Sequence, residues 1–174
     1  SFLRMSGINL IKQALEDFCK VPGHELKIIT TTYCGITEAK AIEQLSSLPN
    51  TEIKISYNTE IERLHAKAYI FERNSGYNTA YIGSSNLSKS AQTSGLEWNI
   101  RVTDVENHHI ISGAIATFKR YWESADFEDF RLGGIEKFKA EKDKENEKKK
   151  ELTKAIDYSS LQVYNILPHQ RNIR

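Results

Sequence analysis

Two strand-like runs on either side of a helical stretch constrain this fold more than any other feature. Residues 26–33 (Leu-Lys-Ile-Ile-Thr-Thr-Thr-Tyr) and 51–57 are rich in β-branched side chains. Between them Ala41, Ile42, Leu45 and Leu48 recur at helical spacing, after Thr37 as the expected N-cap and before the Pro49-Asn50 stop. Helix, strand, helix, strand is the signature of a crossover unit with parallel strands. The first helix lies before these runs. Ser6 is its expected cap, Ile8, Ile11, Leu15 and Phe18 form its apolar face, and Val21-Pro22-Gly23 breaks it.

The middle of the chain changes character. Residues 64–73 alternate, residues 74–78 (Asn-Ser-Gly-Tyr-Asn) turn, and residues 79–83 return, which predicts a hairpin. Residues 96–103 alternate again. An amphipathic helix is expected over about 106–122, with Ile110, Ile111, Ala114, Ile115, Phe118 and Trp122 inward. His108 and His109 fall at its start and read as structural. Lysine and glutamate then dominate residues 136–154, and the alternating signs predict a solvated helix or linker.

The length of 174 residues suits one domain with a tail. Lysine and arginine number 24 against 23 acidic residues, so no global field attracts nucleic acid, although a local groove remains open to it. Cys19 and Cys34 lack metal-ligand spacing and read as small buried residues in a reducing compartment. No apolar run is long enough to span a bilayer and no signal peptide opens the sequence, so a cytoplasmic protein is expected. Both ends read as cut from something larger.

Chemistry concentrates in Arg63-Leu64-His65-Ala66-Lys67 and in Gly83-Ser84-Ser85-Asn86. If residues 64–73 form a strand, His65 and Lys67 share one face, while Leu64, Ala66, Ala68 and Ile70 share the other. An imidazole beside an ammonium is a poor core and a good phosphate site. Phosphodiester cleavage needs a nucleophile, donors for the non-bridging oxygens and an acid for the leaving oxygen. The imidazole of His65 is available as a nucleophile. Lys67 supplies a fixed charge, Gly83 close backbone approach, and Ser84 and Asn86 further donors. Glu97, at the start of the next strand with Asn99 on the same face, is placed to orient a histidine. Arg63, Lys67, Lys89 and Arg101 are candidates for a basic groove.

These residues resemble the His-x-Lys and Gly-Ser-x-Asn motif of the phospholipase D superfamily, over roughly residues 26–122. The resemblance implies an α/β fold, a phospholipase D-like mixed β-sheet flanked by helices, with one half-site per chain. His65 matches the nucleophilic histidine, Lys67 the phosphate-binding lysine, Ser84 and Asn86 the Gly-Ser-x-Asn donors, and Glu97 a supporting carboxylate. Gly83 and Ser85 complete the loop as structural positions. Glu72 stands where the family usually has aspartate, and the Lys67-to-Gly83 interval is longer than usual, as an extended hairpin tip would make it. The family works through a covalent phosphohistidine without a metal or other cofactor. A second motif supplies the acid. His24, His108, His109 and His169 have no lysine two residues later, so the resemblance implies a homodimer.

Residues 164–170 (Tyr-Asn-Ile-Leu-Pro-His-Gln) resemble the start of superfamily-two helicase domains, whose glutamine reads adenine. No phosphate-binding loop follows within the chain, so ATP would enter only through a missing helicase portion. Residues 62–99 also resemble the nuclease domain that precedes such helicases in bacterial restriction-type proteins. The expected organisation is a phosphodiesterase or nuclease domain at 1–130, a charged helical linker at 131–160 and the start of a helicase domain at 161–174. The expected partner is DNA or RNA, with DNA favoured, and no membrane. Two other readings compete: a catalytically silent DNA-binding or dimerisation module, and a phosphodiesterase or transferase acting on phospholipid.

Overall fold

A computed structural model describes residues 1–59 and 64–166, with the side chains of 155–166 outside the description. Helix α1 (Met5–Lys20) leads to strand β1 (Leu26–Thr31), a 3-10 turn at Tyr33–Gly35, helix α2 (Ala39–Ser46) and strand β2 (Thr51–Ser56). Strand β1 pairs in parallel with β2, from Leu26 opposite Thr51 to Thr31 opposite Ser56. The helical crossover permits that polarity, which a short hairpin turn would not. Strand β3 (Ala68–Phe71) and strand β4 (Thr79–Gly83) form the hairpin, and after the short helix α3 (Lys89–Thr93) strand β5 (Asn99–Thr103) adds antiparallel to β4. Helix α4 (Asp104–Glu123) and the two-residue strand β6 (Glu128–Asp129) precede helix α5 (Phe130–Ile166).

The architecture is α/β with helices flanking small sheets, as expected. Among the described residues the expected mixed sheet is divided in two. One sheet has the order β1-β2-β6, with β6 antiparallel to β2, and the other is the antiparallel β3-β4-β5. Around the first sheet Ile8, Ala41, Ile42, Leu45, Ile53, Ile55 and Phe138 form the main core. The second sheet has its own small cluster of Ala80, Val102 and Ile111, flanked by Ile70 and Ile115.

Several local expectations need correction. Ser6 does not cap α1. Arg4 holds the N-cap position, and the Glu38 carboxylate accepts the Met5 N–H at 2.9 Å. That carboxylate also suits the positive end of the helix dipole. Thr37 does not cap α2 either. Glu38 is the N-cap, while Thr37 is buried with its hydroxyl 3.1 Å from that of Thr30. Ile11 and Phe18 on α1, and Ile110 on α4, are exposed rather than inward. Only part of each helix's apolar stripe is therefore covered.

The charged run is helical, after a break at Gly134 (φ +59°). Its first turns are docked rather than free. Phe138 enters the main core, and the Lys142 ammonium donates to the Thr37 carbonyl at 2.6 Å. The Thr59 hydroxyl donates to the Glu145 carboxylate. The helicase-like segment at 161–174 falls largely outside the described residues. No described helix is long and apolar enough to cross a membrane.

Candidate active site

The site forms where the hairpin sheet ends against the chain's first residues. The β3–β4 ladder continues one step beyond Ala68, since the Gly83 N–H donates to the Lys67 carbonyl at 3.1 Å. The strand itself starts at Ala68, so His65 and Lys67 do not share a strand face as expected. Lys67 turns inward and is 7% exposed, with its ammonium donating to the His65 carbonyl at 2.8 Å. The His65 side chain stays exposed. The Phe2 ring meets both, edge-on to the imidazole at 6.0 Å between centroids and 5.8 Å from the Lys67 nitrogen. Burial lowers the Lys67 pKa, and the Glu97 charge partly opposes that shift.

The Gly83-Ser84-Ser85-Asn86 loop is held by its own side chains. The Ser84 hydroxyl donates to the Glu97 carboxylate and accepts the Trp98 N–H at 3.0 Å. The Asn99 amide donates to the Ser85 hydroxyl at 2.6 Å. Among the described residues Glu97 therefore orients a serine, not a histidine. It also precedes β5 rather than beginning it. Asn86 accepts the Phe2 N–H at 3.0 Å through its side-chain oxygen, which fixes the amide orientation and leaves its NH2 group as the donor. Gly83 is required, because a Cβ there would lie 2.0 Å from the Trp98 carbonyl oxygen. The close approach that it permits is thus to the next strand.

Pairing with the first residues anchors this loop to the main core. Leu3 and Leu87 form a parallel bridge, with the Arg4 N–H donating to the Leu87 carbonyl at 2.9 Å. Gly7 lets α1 pass closely, since a Cβ there would lie 2.4 Å from the Leu87 carbonyl. Tyr69 donates to the Ser85 carbonyl at 3.1 Å from below.

The structure thus brings Lys67, Ser84, Ser85, Asn86 and Glu97 into one connected loop region, with His65 reached through Phe2. Glu72 is exposed beyond β3 and is placed near Lys27, whose pKa it helps to raise after the nearer Glu25. Of the basic-groove candidates, Lys67 is buried, Lys89 starts α3, Arg101 faces Tyr81 across the β4–β5 ladder, and Arg63 lies outside the described residues. His108 sits on the first turns of α4, its ring nitrogen 2.9 Å from the Asp104 carboxylate. Among the described residues no group of three His, Cys, Asp or Glu side chains is arranged to hold a metal.

Sequence reasoning missed Phe2 and gave Asn99 no partner. Phe2 lies 84 residues from the Asn86 that it binds, and no local pattern signals that pairing. Asn99 was visible only as lying on the Glu97 face. On its open side His65 lines a cleft of about 600 Å³ between Leu64 and Ala66 and the end of α4.

A family model described as the PLD-like domain of cardiolipin synthase matches residues 8–122. The chain belongs to this phospholipase D-like family, which makes phosphodiester chemistry the relevant reaction class. No curated protein matches the chain.

Proposed function

We propose that this chain is a metal-independent phosphodiesterase, and most specifically the DNA nuclease module of a helicase-linked, restriction-type protein. The observation that carries this reading is an exposed His65 imidazole at a cleft, with the Lys67 cation held in the interior directly behind it. A charge kept out of water acts over a longer range than a solvated one. The Asn86 NH2 group, oriented by Phe2, adds a donor for a non-bridging oxygen.

A ring nitrogen of neutral His65 attacks phosphorus, a P–N bond forms and the P–O bond to the leaving alkoxide breaks. The alkoxide takes a proton from an imidazolium. Water then attacks phosphorus, the P–N bond breaks, and the second imidazole accepts the water's proton. With one His-x-Lys motif per chain, that second imidazole is His65 of another copy. An apolar surface suited to such a homodimer adjoins Glu97: Leu96, Trp98 and Ile100 are 103%, 89% and 67% exposed. A linker in the part of the charged helix beyond its docked turns, and a following helicase domain, complete this reading, which rests there on sequence resemblance.

The family description favours one other substrate, a phospholipid diester. Cleavage of single- and double-stranded DNA in excess EDTA, wild type beside His65→Ala, tests the proposal, with a phosphatidylglycerol arm for the alternative. DNA cleavage by wild type alone is expected. Cleavage of neither DNA by wild type overturns the nuclease reading, and lipid turnover in its place transfers the site to phospholipid.

A further inference from the structure

The cleft beside His65 holds a cation that no motif includes. The last turn of α4 places Arg120 in the lining of the same cleft of about 600 Å³. Its guanidinium lies over the Tyr121 ring, 5.5 Å from the centroid, and makes no ion pair among the described residues. Tyr121 in turn packs on Phe127, with centroids 5.5 Å apart, which gives the arginine a fixed platform. One carboxylate also lines the cleft. Asp126 is engaged locally, accepting the Ser124 hydroxyl at 2.7 Å while its own N–H donates to the same hydroxyl at 3.2 Å. Arg120 and Asp126 thus both line the cleft, and among the described residues they form no ion pair with each other. Attraction between its charge and the α4 carbonyl end accounts for an arginine in the last turn, but not for one lining the His65 cleft.

We propose that Arg120 binds the phosphodiester adjacent to the one presented to His65, so that the cleft accepts one nucleotide unit of a polynucleotide strand. This rests on the nuclease reading and specifies its substrate as a polymer of phosphates rather than an isolated diester. A guanidinium takes two oxygens of one phosphate in a fork, and the Tyr121 ring beside it narrows its range of positions beforehand. The cleft volume falls within the range of about 300–1,000 Å³ typical of small-ligand sites, enough for one nucleoside.

Binding of a labelled single-stranded oligonucleotide, followed by fluorescence anisotropy across a sodium chloride series in EDTA, tests the assignment without requiring turnover. Arg120→Ala is expected to weaken binding on the order of tenfold at low salt and to flatten the log–log salt dependence by about one contact's worth. Arg120→Lys is expected to recover the slope but only part of the affinity, and both variants to melt within about 2 °C of wild type. Unchanged affinity and slope in Arg120→Ala overturn the proposal. So does a wild type that binds no oligonucleotide, or a variant that loses affinity for anionic phosphatidylglycerol vesicles but not for the oligonucleotide. A wild type that binds the strand yet cleaves nothing removes the catalytic reading alone, and the salt slope still decides the role of Arg120.

Discussion

The two sheets are covered very unequally. Helices α1, α2 and α5 enclose β1 and β2, leaving Ile42 and Ile55 with no exposure and Ile8, Leu45 and Ile53 with 1–3%. The hairpin sheet buries only Ala80 and Val102 beneath Ile111 on α4. Farther along the same face, Ile82 and Ile100 pair across the ladder in the open, with Trp98 beyond. The first region thus carries the stability, and the second is a platform whose uncovered end carries the candidate site. The platform is steadied through a few long-range ties, chiefly residues 2–4 against Leu87 and Asn86.

Removing side chains on each side of that divide should make the inequality measurable. Ile42→Ala is expected to cost about 2–5 kcal/mol, from lost burial and a cavity that rigid neighbours cannot fill. Urea denaturation measures this, and a cost below 1 kcal/mol would remove the distinction.

Lys67→Met should show the opposite sign while abolishing cleavage. Burial holds the Lys67 pKa below its ordinary 10.5, so the folded protein carries this charge at a cost throughout the neutral range. Wild-type stability should therefore rise as pH increases through the folded pKa toward 10.5. Lys67→Met should lack that rise and be no less stable than wild type at pH 7. Melting temperatures from pH 7 to 10.5 read both effects, and a destabilised variant would mean that Lys67 is a structural tie.

Trp98→Ser is expected to change monomer stability least, within about 0.5 kcal/mol, because the indole is almost wholly solvated. If the exposed face joins two copies, the same change shifts a dimer to monomer in sedimentation velocity. A large loss of monomer stability would show that this end of the platform is packed after all.

The same contrast decides what could be read from the sequence. The parallel crossover was legible because helical spacing separates two strand-like runs, and the β3–β4 hairpin because strand alternation flanks a Gly-containing turn. Helix faces were less legible. Periodicity marks an apolar stripe on α1 but not how much of it is covered, and Ile11 and Phe18 are exposed. The docking of the charged run hangs on Phe138, one aromatic within a mixed-charge segment. In the candidate site, residue types and loop position were visible in Lys67, Ser84 and Asn86. Their bonding was not, because it depends on Phe2, which is distant in sequence, and on a strand that begins after Lys67 instead of before His65.

The central claim is that His65 becomes covalently bonded to phosphorus. Wild type and His65→Ala, mixed with DNA labelled on either side of the cleavage point and quenched within milliseconds to seconds in alkaline detergent, test it most directly. The account predicts a transient protein-linked label from one side only in wild type, and neither adduct nor cleavage in His65→Ala. Cleavage that proceeds without an adduct and survives in His65→Ala would contradict it.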